Sequence, residues 1–205
     1  MNTQSKLNDY FPHGLGGAFI IFFLVLAINP TSREVWIAEV IPVVIIFLFL
    51  AFTISYFRFS NLAYALMACW MFWHTIGGHY TFAHVPFDWF NHLIGSERNQ
   101  FDRIGHFTVG FYAYAMAEWL LRRGYCRTIL ATMFGLFFIM SVAAAYEIIE
   151  WWYAAAEGGE AGIEFLGSQG DIWDAQKDML ADTLGAVAAL ILFWVFRSNQ
   201  TSIHK

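Results

Sequence analysis

The chain has 205 residues, 59% of them hydrophobic and 20% aromatic, with only 13% charged and a formal net charge of −5. A soluble globular domain carries about twice that share of charge, which excludes an ordinary soluble enzyme. An acidic balance with no basic cluster argues against a nucleic-acid partner. The composition predicts one all-α integral membrane domain over residues 1–205, a bundle of six transmembrane helices with the lipid bilayer as its surroundings.

In chain order, the N-terminus offers Lys6, Pro12 and Gly14 but no small-residue cleavage site, so residues 13–29 read as an uncleaved first span and not as a signal peptide. That span is short and must thin the bilayer or recruit flanking residues. Apolar segments at 37–57 and 61–80 follow after tight joins at 30–36 and 58–60. A long loop, 81–103, precedes a fourth segment at 104–122. A short basic loop, 123–127, leads into 128–152, and a second long loop, 153–177, into the last segment, 178–197. Long loops in a compact protein tend to carry function. Cys69 falls inside an apolar segment and Cys126 in the basic loop, an arrangement that suits neither a mutual disulfide nor a cysteine metal motif.

Basic residues set the orientation. With the N-terminus in the cytoplasm, the inner side receives seven of them (Lys6, Arg58, Arg122, Arg123, Arg127, Arg197, Lys205) and the outer side four (Arg33, Arg98, Arg103, Lys177). Both termini are therefore expected inside and both long loops outside.

This topology gathers polar residues at one level. The third segment ends outward in "WHTIGGHY", bringing His74 and His79, with Gly77-Gly78 expected to break the helix and realign them. The fourth begins with "DRIGHF", placing Asp102 and His106 one turn apart, where the carboxylate can orient the ring. The fifth ends in "YEIIEWW", with Glu147 and Glu150 on one face. The sixth is entered through Asp171, Asp174, Asp178 and Asp182, whose spacing of three, four and four residues lines one helical stripe. Asp171 and Asp174 precede the apolar run and suit capping of a helix N-terminus. Asp178 and Asp182 lie one and two turns in, where a carboxylate is costly and turns away from lipid. Glu118, four residues before Arg122 near the inner end, suits an i,i+4 pair that snorkels to the interface.

The stretches "HTIGGHYTFAHVPFDWF", "NQFDRIGHFTVGF", "YEIIEWW" and "DAQKDMLADTLGA" together resemble, in order and spacing, the YjdF-like bacterial inner-membrane family, a domain of unknown function. The resemblance runs from about Met71 to Val187 and implies the bacterial inner membrane as location and a multi-pass topology, with no activity attached. A looser similarity links Asp102 and His106, Glu147, and Asp178, Asp182 and Gly185 to VanZ-like membrane proteins, with Thr183 standing where those proteins commonly have Asn.

Two classes of function, and a third, suit these residues. A metal-dependent hydrolase would act on a lipid or lipid-linked substrate at the outer face. Imidazole with carboxylate suits Zn²⁺ or Mn²⁺, and carboxylates alone suit Mg²⁺. The expected divalent-metal ligands are His79, His106 and Asp182, with Glu147 and Asp178 as catalytic base or supporting carboxylates. His74, Asp102, Glu150 and Asp174 are expected in support. The alternatives are a non-catalytic scaffold pinned by a buried polar network and an ion- or proton-coupled transporter using the same acids.

Overall fold

Backbone polar groups in a bilayer must be satisfied inside the segment that carries them, so a chain this apolar folds as helices. A computed structural model describes residues 3–197 and has nine helices and no strand among them. They are α1 (Thr3–Leu26), α2 (Arg33–Thr53), α3 (Asn61–Tyr80), α4 (Asp88–Leu93), α5 (Phe101–Val109), α6 (Tyr112–Arg122), α7 (Thr128–Glu157), α8 (Gly159–Leu166) and α9 (Asp174–Phe196). Three of them, α2, α7 and α9, are long and apolar enough to cross a membrane. Lys205, part of the charge balance, lies outside the described residues.

Helices occupy all six apolar segments, but three details differ from expectation. The fourth segment is two helices, α5 and α6, joined at Gly110-Phe111. Short-range bonds from Phe111 N to Thr108 O (3.1 Å) and from Ala113 N to Gly110 O (3.0 Å) tighten the joint without reversing the chain. The long loops contain α4 and α8. Finally, Gly77-Gly78 does not break α3. A Cβ on Gly77 would occupy the place of the Phe82 ring, which folds back after Thr81 ends the helix in the left-handed region, and Gly78 lets α2 approach at Glu39 and Trp36. The pair serves packing.

The core is built on close backbone approach. Ala113, Ala117, Ala131, Ala186 and Ala189 are fully buried around Tyr114, Phe193, Met67 and Ile139. Without water to drive apolar side chains together, helices in lipid associate through such small residues. α9 packs on α5, α6 and α7, while α3 joins α1 and α2 to that group. A Cβ on Gly185 would collide with the Phe107 carbonyl, and one on Gly110 with the backbone of Asp182, Gly185 and Ala186. Glycine is required at both. At the other end Glu118 does not snorkel: it is fully buried and accepts from Ser60 N (2.7 Å), Ser60 Oγ (2.6 Å) and Arg122 (2.5 Å), tying the start of α3 to α6.

Gly185→Ala must push α5 and α9 apart, an overpacking cost of about 1–3 kcal/mol. Thermal unfolding in detergent should show that loss, whereas Gly14→Ala, whose Cβ meets open space, should leave the transition unchanged or raise it. Equal behaviour of the two variants would contradict the α5–α9 contact.

Candidate functional site

The aspartate row at the start of α9 faces α5, and its deeper members are buried: Asp174, Asp178 and Asp182 expose 8%, 3% and 1%. Buried carboxylates need opposite charge or donors, and two arginines supply them. Arg103, on α5, lies 2.6 Å from Asp174 Oδ1, 2.7 Å from Asp178 Oδ1 and 3.9 Å from Asp171. Arg98, in the loop before α5, lies 2.7 Å from Asp174 and 3.4 Å from Asp102. It also donates to Ser168 O (2.6 Å) and Gly167 O (3.3 Å), locking the two long loops together. Sequence reasoning counted both arginines for topology and missed this pairing. The Arg98/Asp102 spacing of four residues was the available signal. Asp171 stands apart: it pairs with exposed Lys177 at 2.6 Å and accepts from Trp173 N at 3.1 Å, and these bonds hold its carboxyl below the ordinary range.

His106 sits at the centre of what remains. Its Nδ1 meets Asp182 Oδ2 at 3.1 Å, and its Nε2 points toward Asp102 Oδ1 at 3.7 Å. A proton on Nδ1 donated to Asp182 leaves the Nε2 lone pair facing Asp102, the arrangement that second carboxylates impose on metal-binding imidazoles. Asp102, His106 and Asp178 each bring one donor atom within 4.8 Å of the others. Arg98 and Arg103 thus serve Asp102, Asp174 and Asp178, while Asp182 meets His106 and neither guanidinium. Asp182 Oδ1 is buried with no hydrogen-bond partner.

The other expected residues divide. His79 is not part of this group: its Nδ1 donates to Leu26 O at 2.6 Å and its ring stands edge-on to Trp36 and Tyr80, seating the α1–α2 turn on the end of α3. His74 lies beside Glu39, its Nε2 3.0 Å from Glu39 O and 3.1 Å from Glu39 Oε2. Tyr146 donates to the same Oε2 at 3.2 Å, and its ring is 6.4 Å from that of His106. Glu39 and Tyr146 were missed as site residues, although a lone acid inside a predicted span is itself a signal. Glu147 is within electrostatic reach of His106, Asp102 and Asp182, and its Oε1 is buried without a hydrogen-bond partner.

A cavity of about 640 Å³ joins the His106 group to the Glu39–His74 pair. At one end it is lined by Asp102, His106, Asp182, Glu39, Tyr146 and half-buried Glu150; the rest of its wall is mostly apolar. That volume falls in the range of small-molecule sites.

The chain matches the family described as "Predicted membrane protein (DUF2238)" over residues 11–199. It is 34% identical over 183 residues to "Inner membrane protein YjdF" of Escherichia coli (strain K12), covering 88% of this chain and 87% of that protein. No solved structure matches it.

Removing Arg103 strands Asp178 in a buried setting and leaves Asp174 to Arg98, a loss of about 3–5 kcal/mol for a broken buried pair. Arg103→Ala should lower the unfolding midpoint strongly, and adding Asp178→Asn should recover part of it. Lys177→Ala, at the exposed pair, should leave the midpoint almost unchanged. Similar losses for the two single variants would show that the row is not held by Arg103.

Proposed function

As this chain belongs to the DUF2238 family of predicted membrane proteins and is a multi-pass inner-membrane protein, we propose that it is a metal-dependent hydrolase acting on a lipid or lipid-linked substrate. In this reading six spans (α1, α2, α3, α5 with α6, α7, and α9) cross the membrane with both termini in the cytoplasm, and the His/Asp group opens to the outer face. The observation that carries the reading is His106, at the polar end of an apolar cavity, with Asp182 on one ring nitrogen, Asp102 toward the other, and a donor atom of Asp178 within 4.8 Å.

Asp102, His106 and Asp178 are the proposed ligands, and Asp182 orients His106 instead of binding the metal itself. A divalent ion there would draw these carboxylates together and supply a water acidic enough to attack at neutral pH. Hydrolysis adds one water across the scissile bond. Its oxygen joins the electrophilic centre of the headgroup, one proton passes to Glu147, and Glu147 returns that proton to the leaving group as the bond breaks. Zn²⁺ or Mn²⁺ fits one imidazole with two carboxylates better than Mg²⁺ does.

A second reading has its own support. Arg98 and Arg103 already compensate much of the row, as they would in a non-catalytic scaffold whose polar network pins the helices.

Elemental analysis of folded, metal-supplemented protein separates the two. The hydrolase expects one divalent ion per chain, reduced to background by His106→Ala or Asp178→Asn and retained by Asp171→Asn. Folded parent protein without an ion would leave the scaffold. For the topology, reporter fusions after Arg123 and after Gly159 should report inside and outside respectively; the same side for both would end the six-span arrangement.

A further inference from the structure

We propose that the cavity is a slot for one hydrocarbon chain of a membrane lipid, entered sideways from the bilayer between α2 and α7, with the lipid's polar head at the Asp102–His106 end. This rests on the proposed lipid substrate and specifies how that substrate is held.

The cavity is elongated along the bundle. On the α2 side its wall runs from Glu39 to Thr53, fourteen helical steps or about 21 Å, which is most of the roughly 30 Å of a bilayer's hydrocarbon. Charged groups stand at its ends. Between them lie Ile46, Leu50, Met67, Met116 and Ile139, a largely apolar wall in which the Tyr112 hydroxyl is spent on Met67 O at 3.1 Å and Trp70 brings one indole N–H. Left empty, such a wall forfeits dispersion contacts along its length.

The side opening follows from helix packing. α2 packs on α3 and α8, and α7 on α6, α8 and α9, so the cavity separates α2 from α7. Phe49 on α2 and Phe138 and Val142 on α7 line the cavity and are also exposed on the outside of the bundle. In a membrane those residues meet lipid, so a chain passes from bilayer to slot without crossing water. Contacts between α2, its following turn and the neighbouring helices stand at both ends. Tyr146 reaches across to Glu39 at 3.2 Å near the head end. Arg123 donates to Tyr56 O at 2.8 Å and lies over Phe57 at the far end.

The test uses the full chain in phosphatidylethanolamine–phosphatidylglycerol vesicles containing a phospholipid with a photoactivatable group midway along its acyl chain, with labelled residues mapped by mass spectrometry. Labels are expected on Met67 and Ile139, which are buried and line the slot, in addition to exposed Ile45 and Phe134. Ala143→Trp, which fills the α7 wall, should abolish labelling at Met67 while Ile45 and Phe134 remain labelled. Ala115→Phe fills the α6 wall and provides an independent reading. His106→Ala should keep the slot labels while losing the metal, so that failure of the metal site and failure of the slot are told apart. Labels confined to exposed faces in the parent, or slot labels untouched by both filling variants, overturn the proposal.

Discussion

The register of α5 against α9 depends on one electrostatic constraint: carboxylates placed a turn apart on α9 are buried and must find positive charge. Arg103 meets two of them at 2.6 and 2.7 Å, and Arg98 comes in from the preceding loop. A slip of α9 by one turn would strand a carboxylate at low dielectric, which costs far more than any single apolar contact returns. The glycines at 110 and 185 make the same register sterically possible, because the backbones touch where a side chain would stand. Charge and shape thus specify one alignment.

From that alignment the rest of the site follows. It delivers Asp182 to His106 Nδ1 and brings Asp178 within 4.8 Å of donor atoms of His106 and Asp102. Depth ranks carboxylates by how costly they are to leave unpaired. Whether a carboxylate orients an imidazole or stands beside its free nitrogen depends on the azimuth around α9, and helical spacing locates that only to a face.

A second carboxylate–imidazole pair, Glu39 with His74, lies on the wall of the same cavity, and Tyr146 stands between the two pairs. Gly78 allows it, by letting α2 and α3 approach until His74 reaches Glu39. Acidic and imidazole groups are thereby concentrated at one end of a cavity whose middle is largely apolar. Such an asymmetry matches an amphiphile better than a solute.

The amino-acid pattern alone determined the helical class, the apolar segments that helices occupy and the helical stripe that the aspartates share, because hydropathy and a 3.6-residue period are local properties. It also brought Asp102 and His106 onto one face, since they are four residues apart. Partners distant in sequence were not legible. Arg98 and Arg103 read as topology signals, His79 as a ligand, and Glu39 was passed over, because each is decided by which helix stands opposite. His79 has the residue type of a ligand, yet its ring is spent on the Leu26 carbonyl. Only tertiary packing chooses between such roles, since a side chain's chemistry is set by the atoms within about 3 Å of it and those atoms come from other helices.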